Sequence, residues 1–400
     1  IVVGAAWETH SGTGAAGAAY VYVRTGAEWA LEARLTASDF AASDRFGHSV
    51  AISGDTIAVS ALGANAAGAD SGAVYVFQRT GTAWAEQAKL VGRDTAAYHH
   101  FGCADDAGPT LALEGATLYV GAPDRSTSQR EWVGGVYVFQ RTGTTWEQVQ
   151  RLVPADAAEG ESFGAAISVE GDWAVIGSYD GFSHASHVHV FGRTGGTWAE
   201  TAAIPSPLHD QGDGYWFGYD FGSSVALSGD TFAAGVADAV ALYARVGEEW
   251  VLASWVTSAS PEMRGDTVAL EGATLVVGSP QINVGYVFLF DTTPSCRGLK
   301  ATVVGSPGPD NLSGTAGDDV IDGLAGDDRI DGLEGNDIIC GNLGDDLLVG
   351  GAGDDTLVGG PGADAPDYST ADGPVTASLA TGTATGPAGS DALVGMENLI

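Results

Sequence analysis

The sequence predicts an all-β chain: a β-propeller of six visible four-stranded blades, followed by a right-handed parallel β-roll. Three observations predict it. A module of strands and turns recurs through the first three hundred residues with a period near 52–62 residues, a length at which four short strands make a propeller blade. From Gly305 to Asp367 a tighter pattern takes over, in which glycine and aspartate each return every nine residues. The composition, with 60 glycines and 10 tryptophans in 400 residues, suits a turn-rich all-β protein.

Each module runs in the same order. A Phe-Gly pair opens it, at Phe46-Gly47, Phe101-Gly102, Phe163-Gly164 and Phe221-Gly222. An apolar strand and a tight turn follow, the turns including Gly54-Asp55, Gly171-Asp172 and Gly229-Asp230. A second apolar run ends in Gly-Ala or Gly-Ser, at Gly4, Gly121, Gly177 and Gly278, with looser copies at Ala61 and Gly235. After a loop comes a third strand, at Tyr20–Val23, Tyr75–Phe77, Tyr137–Phe139, His189–Phe191, Leu242–Tyr243 and Tyr286–Phe288. An Arg-Thr-Gly turn and a tryptophan close the module, the latter at Trp29, Trp84, Trp146, Trp198 and Trp250. The first module lacks its opening strand, and the sixth lacks the Arg-Thr-Gly and tryptophan tail.

These Phe-Gly and Gly-Ala-Pro elements, the latter complete at Gly121-Ala122-Pro123, resemble the FG-GAP repeats of integrin α-chain propellers. The resemblance covers about residues 1–293. It implies seven blades in the full protein, one being cut off upstream or degenerate. It also implies a D-x-D-x-D-G calcium loop in several blades. The corresponding loops here, Ala64–Asp70 and Asp124–Ser128, do not keep it, so no calcium is expected in the propeller.

Within an antiparallel blade, the turns after strands one and three share one face, and those after two and four share the other. The first set is tight, as in Ser53-Gly54-Asp55 and Arg79-Thr80-Gly81, and matches hairpin chemistry. The second set is long and variable, at Thr36–Gly47, Ala61–Gly72, Val91–Thr110, Gly121–Gly135, Pro154–Gly164, Gly177–Ser186 and Pro205–Gly222. Variation on one face of a rigid scaffold suggests a binding surface; unconstrained surface loops explain it equally. The aromatic and acidic loop His209–Trp216 is the best single candidate for contact with a sugar or peptide. The partner expected on this face is a polysaccharide or an extracellular protein.

Residues 294–304 read as a linker or lead-in strand, 305–367 as the roll, and 368–400 as its degenerate continuation or cap. In the roll, glycine stands at Gly308, Gly317, Gly326, Gly335, Gly344, Gly353 and Gly362. Aspartate follows two residues later, at Asp310, Asp319, Asp328, Asp337, Asp346, Asp355 and Asp364. An aliphatic follows the first six aspartates, at Leu312, Ile321, Ile330, Ile339, Leu348 and Leu357, and a further glycine recurs at Gly314, Gly323, Gly332, Gly341, Gly350 and Gly359. Three residues around each aliphatic suffice for a very short strand with its central side chain inward. The six residues between strands form the turn, where glycine takes backbone angles that other residues avoid.

Two nonapeptides then make one coil, so aspartates eighteen apart stack. One column holds Asp310, Asp328, Asp346 and Asp364; the other holds Asp319, Asp337 and Asp355. Neighbours in a column would sit about 4.8 Å apart, where repulsion is of order 1 kcal/mol in water and about 3–4 kcal/mol at an effective dielectric near 20. A core of one Leu or Ile per rung is too thin to overcome several such pairs, so the coil needs a cation between them. Carboxylates and the carbonyls of the glycine turns form an all-oxygen donor set, which favours calcium (Ca2+) over magnesium. The columns offer up to five gaps, and folding is expected to be coupled to binding. The pattern G-G-x-G-x-D-x-U-x resembles the RTX haemolysin-type calcium-binding repeat. A disordered acidic linker describes the calcium-free state but does not predict the phased Leu and Ile.

Several positions depart from the repeat. Ser306, Thr315, Leu324, Leu333 and Asn342 stand where its second glycine belongs, and that glycine returns only at Gly351 and Gly360. The first turns are therefore expected to be strained or to bind more weakly. Pro366 replaces the inward aliphatic and is expected to end the regular coil. Gly389-Ser390-Asp391-Ala392-Leu393 falls back into phase, and Val375, Ala377 and Leu379 between them read as degenerate strands.

The formal net charge of −35 argues against nucleic acid, since little here could neutralise phosphates. Residues 300–400 hold 18 acidic against 2 basic side chains, so the charge is densest where metal is expected. No apolar run approaches a membrane-spanning length. The chain starts at Ile1 within a repeat and reads as a fragment, any export signal lying outside it. A bridge between Cys296 and Cys340, the latter at an outward-facing strand position, would close a loop worth about 4 kcal/mol; the sequence leaves open whether it forms. Cys103 reads as a buried apolar residue or a loop thiol.

His184, His187 and His189 could form a metal cluster, but His189 stands where Tyr75 and Tyr137 stand and reads first as a packing ring. Arg264-Gly265-Asp266 falls where Phe-Gly sits in other modules, which suits the start of a strand better than recognition. The tryptophans recur once per blade, as packing residues do. No nucleophile has a nearby base motif, although catalytic residues can be scattered over a propeller face. The expected function is an extracellular calcium-binding surface or adhesion-type protein. The alternative is a secreted hydrolase with an accessory propeller and calcium-binding repeats.

Overall fold

The computed structural model describes residues 1–10, 12–103, 109–123, 133–155, 160–178, 186–207, 221–236, 239–257, 265, 267–280, 285–292, 295–297 and 299–400. Every regular element among them is a strand, so the all-β expectation holds. Six sheets follow one another along the chain. Val2–Ala5, Ala18–Thr25 and Glu28–Leu35 form the first, and Phe46–Ser53, Thr56–Ala61, Ala73–Thr80 and Ala83–Leu90 the second. Leu111–Glu114, Thr117–Gly121, Val136–Thr142 and Thr145–Leu152 form the third; Phe163–Glu170, Trp173–Ser178, His187–Thr194 and Thr197–Pro205 the fourth. Val225–Ser228, Thr231–Val236, Ala239–Val246 and Glu249–Thr257 make the fifth, and Thr267–Glu271, Thr274–Pro280 and Gly285–Asp291 the sixth. These are the six blades of a propeller, and the two end blades lack one strand each, as the motif order predicts. By compactness the chain divides into one unit of residues 1–240, 257–270 and 276–288, and a second of residues 241–256, 271–275 and 289–400.

The recurring motifs have a physical reason in the first unit. Phe46, Phe101, Phe163 and Phe221 are fully buried. Three of them meet the third-strand ring edge-on: Phe46 on Tyr75 at 5.5 Å between centroids, Phe101 on Tyr137 at 5.2 Å and Phe163 on His189 at 5.2 Å, a favoured aromatic geometry. The glycine after three of them, Phe46, Phe163 and Phe221, abuts the Gly-Ala glycine of the blade before it, while Gly102 follows a blade with Ala61 at that place and faces the side chains of Val74 and Ser60. A Cβ on Gly4 would lie 1.9 Å from the Gly47 carbonyl oxygen, on Gly121 2.1 Å from that of Gly164, and on Gly177 1.8 Å from that of Gly222. Phe-Gly and Gly-Ala are therefore the two halves of one contact between neighbouring blades.

The closing hairpin is equally regular. Arg24, Arg79, Arg141 and Arg193 stand directly across from Trp29, Trp84, Trp146 and Trp198. Each guanidinium lies 5.1–6.0 Å from its ring centroid, within cation–π reach. The indole N–H of Trp84 donates to Glu32 at 3.0 Å, and that of Trp146 to Gln87 at 3.0 Å, both acceptors on the last strand of the preceding blade. Packing is the role of these rings: Trp146 and Trp198 are buried, whereas Trp29, in the first of the sheets, is half exposed. Of the long-loop set, His209–Trp216 and Asp124–Ser128 lie outside the described residues.

In the second unit the chain winds as a solenoid. Val303–Val304, Val320–Asp322, Ile338–Cys340, Thr356–Val358 and Gly389–Val394 stack in parallel on one side. Asn311–Ser313, Arg329–Asp331, Leu347–Val349 and Ala365–Pro366 stack on the other. Partners are two nonapeptides apart, as in Ile321 with Ile339 and Ile330 with Leu348. Ile321, Ile330, Ile339, Leu348 and Leu357 are fully buried and continue into Leu393. Pro366 sits opposite Leu348 as the last rung of its stack. Gly389–Val394 re-enters in phase on Thr356–Val358, while Thr376–Ser378 and Thr383–Gly386 fold antiparallel beside it and cap the coil. Cys296 and Cys340 are bonded. Cys340 stands beside the inward Ile339, outside the apolar core of the coil, and is buried because the hairpin of Ser295–Cys296 and Leu299–Lys300 lies over its rung.

The blade contact leaves no room for a methyl group. Gly177→Ala should destabilise the chain by about 3 kcal/mol through overpacking, read as a lower denaturation midpoint. Gly54→Ala, whose Cβ would meet nothing within 4 Å, should lose only about 1 kcal/mol from its left-handed backbone. Equal losses would show that the glycine contact does not hold the blades.

Candidate metal centre

Both aspartate columns form. The main-chain N–H of Asp310 donates to Asp328 Oδ1 at 2.8 Å, that of Asp328 to Asp346 at 2.9 Å, and that of Asp346 to Asp364 at 2.9 Å. In the other column Asp319 donates to Asp337 at 2.8 Å and Asp337 to Asp355 at 2.9 Å. One oxygen of each carboxylate therefore clamps the preceding coil.

The other oxygen, Oδ2, turns toward the glycine five residues earlier. The point a Cβ would take on Gly332 lies 2.3 Å from Asp337 Oδ2 and 2.5 Å from the carbonyl oxygen of Gly350; on Gly323 it lies 2.6 Å from Asp328 Oδ2 and 2.8 Å from that of Gly341. Gly314, Gly341, Gly350 and Gly359 face Asp319, Asp346, Asp355 and Asp364 in the same way. The second glycine set stacks on itself. A Cβ on Gly344 would lie 2.1 Å from the carbonyl oxygen of Gly326, on Gly353 1.9 Å from that of Gly335, and on Gly362 1.9 Å from that of Gly344. Gly317 stands below Gly335 in that stack.

Oδ2 of Asp328, Asp337, Asp346, Asp355 and Asp364 is buried and has no hydrogen-bond partner. Burying an ionised oxygen without compensation is strongly unfavourable, and buried polar atoms are nearly always bonded. Carboxylate and main-chain carbonyl oxygens brought together around glycine cradles fit a hard divalent cation with tolerant geometry, calcium foremost. Among the described residues, no three side chains of His, Cys, Asp or Glu converge on one point. Any cation held here must draw on main-chain carbonyls as well as carboxylates.

The lowest rungs differ. Asp310 Oδ2 accepts the N–H of Ser306, and Asp319 Oδ2 accepts the N–H of Thr315 at 2.6 Å and its hydroxyl at 2.8 Å. Of the five positions where strain is expected, Leu324, Leu333 and Asn342 carry it, with φ of 74°, 76° and 72°, and Ser306 and Thr315 do not take positive φ. A side chain there costs about 1–2 kcal/mol for leucine, and less for asparagine. At the top, Asp355 donates to Asp391 Oδ1 and Asp364 to Glu397 Oε2, both at 3.1 Å. Sequence phase pointed to Asp391; nothing pointed to Glu397, which belongs to no repeat.

Of the histidines, His184 lies outside the described residues, as do Arg264 and Asp266. His189 is buried, with Nδ1 2.7 Å from Glu200 and Nε2 3.2 Å from Glu161. Burial opposes its charge, but hydrogen bonds to the two carboxylates prevail and raise its pKa. In sister blades Tyr75 donates to Asp39 and Tyr137 to Asp94, and Lys89 and Arg151 reach the same aspartates. Across from His189 stands Ala203. The histidine thus replaces both the packing ring and the cation.

Without a cation, burial favours the protonated form of Asp328, Asp337, Asp346, Asp355 and Asp364. Burial, with neighbouring carboxylates adding to it, pushes Asp328 and Asp346 up to about 7 and Asp355 up to about 6. Asp319 is lowered by its bonds from Thr315. Raised folded-state values mean that the metal-free coil binds protons the unfolded chain releases, so its stability falls as pH rises from about 4 toward 7. Hydrogen exchange in metal-free buffer should show residues 320–358 losing protection between about pH 5 and pH 8. With saturating calcium, protection should persist at pH 8. Protection that rises with pH in metal-free buffer would refute this.

Comparison with known proteins agrees with the repeats. Residues 29–77 and 146–191 match the FG-GAP repeat, and residues 304–339 and 341–365 match the RTX calcium-binding nonapeptide repeat. No curated protein matches the chain. Among solved structures, a protein from Lactobacillus plantarum is 12% identical with a TM-score of 0.44, over 72% of this chain and 80% of that one. A chain of Kuenenia stuttgartiensis hydrazine synthase is 12% identical with a TM-score of 0.38, over 60% and 69%. A chain of a nidogen/laminin complex is 8% identical with a TM-score of 0.40, over 73% and 89%. Likeness at this level says nothing of activity. The chain carries FG-GAP repeats followed, in that order, by RTX calcium-binding nonapeptide repeats.

Proposed function

We propose that this is an extracellular calcium-binding surface or adhesion-type protein. Its C-terminal repeats fold on calcium, and its propeller presents a ligand-binding face on the long-loop side. The observation that carries the calcium part is the run of five buried, unpartnered carboxylate oxygens. Metal and fold are then one equilibrium, since the coil without cations buries charge it cannot compensate. The Cys296–Cys340 bridge supports an oxidising compartment, where calcium is also plentiful. No helix among the described residues is long and apolar enough to cross a membrane. The recognition part is supported by the confinement of long, variable loops to one set of turns, with a polysaccharide or an extracellular protein as the partner.

Calcium titration of the full chain, followed by hydrogen exchange, should bring residues 305–367 from unprotected to protected in one cooperative step at neutral pH. The exchange of the buried strands Thr56–Ala61 and Trp173–Ser178 should not change. Equal protection of the coil in EDTA would overturn metal-coupled folding. For recognition, a glycan and matrix-protein array should show saturable binding without turnover. Hydrolysis of an ester or glycan by the purified chain would overturn the adhesion reading.

A further inference from the structure

We infer that the residues after the repeats complete two cation sites, Asp355 with Asp391 and Asp364 with Glu397, and that the two lowest gaps of the coil close without metal. This rests on the calcium reading above. In the middle of the coil each gap has three features. A lower aspartate has an unpartnered Oδ2, an upper carboxylate accepts that aspartate's N–H, and a carbonyl oxygen from the turn above faces the glycine cradle. Asp337 with Asp355 shows all three, through Gly332 and the carbonyl of Gly350.

The top of the first column repeats this arrangement with residues from outside the repeats. Asp364 is fully buried and its Oδ2 has no partner. Its N–H donates to Glu397 Oε2 at 3.1 Å. A Cβ on Gly359 would lie 2.4 Å from Asp364 Oδ2 and 2.2 Å from the carbonyl oxygen of Gly395. Gly395 thus stands where the next nonapeptide's glycine would have stood, and Glu397 stands for its aspartate. In the other column Asp355 is 2% exposed with its Oδ2 unpartnered, and its N–H donates to Asp391 Oδ1 at 3.1 Å. Asp391 Oδ2 is held by the hydroxyl of Tyr368 at 2.8 Å, which fixes the upper carboxylate over the gap.

At the bottom the logic reverses. The Oδ2 atoms of Asp310 and Asp319 are already bonded by Ser306 and by Thr315. These two gaps lack the unmet oxygen that the five above them share. Counting aspartate pairs within the repeats and counting unmet oxygens both give five, but they place the five differently.

Equilibrium dialysis of the full chain against calcium, counting bound ions per chain, separates the two placements. Asp391→Asn and Glu397→Gln keep an oxygen to accept the N–H and remove the charge. Each should lose one ion, and the double variant two. Asp310→Asn and Asp319→Asn should leave the count unchanged. The opposite pattern, with losses at Asp310 and Asp319 and none at Asp391 and Glu397, overturns this inference alone; a chain that binds no calcium overturns the proposed function itself. Protection of residues 320–349 from hydrogen exchange in calcium checks that each variant still winds. If the double variant fails to wind, Asp310→Asn and Asp319→Asn decide the matter, since any loss there refutes the assignment.

Discussion

Five of the seven column carboxylates, those of Asp328, Asp337, Asp346, Asp355 and Asp364, have two oxygens with different duties, and the tail depends on that division. Oδ1 takes an N–H from the aspartate one coil earlier, a charge-assisted bond that sets the eighteen-residue register. Oδ2 has nothing in the protein to meet it. The same side chain therefore stacks the coil and makes it unfavourable at neutral pH. Single Ile and Leu rungs add little against that penalty, at about 1.5–3 kcal/mol for each buried side chain. A divalent ion bound at that oxygen would turn the penalty into a bond, and because these carboxylates each touch two layers, the layers would gain stability together.

The propeller rests on a different constraint, close approach of main chains. Gly4, Gly121 and Gly177 meet the carbonyls of Gly47, Gly164 and Gly222 at distances that leave no space for a Cβ. Phe46, Phe163 and Phe221, each preceding one of those carbonyl-bearing glycines, are fully buried. Farther out, Glu32 and Gln87 receive the indole N–H of the next blade's tryptophan. The blades thus meet through two kinds of connector, a glycine contact of Gly4 with Gly47, Gly121 with Gly164 and Gly177 with Gly222, and a tryptophan bond of Trp84 to Glu32 and Trp146 to Gln87.

Much of this was legible in the sequence because the constraints admit few residue types. A left-handed turn packed against another main chain calls for glycine, so the nine-residue phase marks the coil almost rung by rung. Phe-Gly and Gly-Ala were legible as motifs, but that they touch each other was not, since their contact spans a whole module. Glu397 was invisible because glutamate is no part of the repeat and a hairpin interrupts the phase before it. That Cys340 would be buried was not legible, because alternation along a three-residue strand says nothing of the hairpin of Ser295–Cys296 and Leu299–Lys300 laid over it. Ser306 and Thr315 looked like defects, yet each gives the aspartate four residues later a hydrogen-bond donor.

The covalent link between Cys296 and Cys340 gives the solenoid a direction. It staples the lead-in hairpin to the rung of Ile338–Cys340, so the earliest windings stay tethered when ions leave. The windings beyond that staple have no such tether. The staple therefore leaves the windings before it with fewer conformations to lose on folding than those after it.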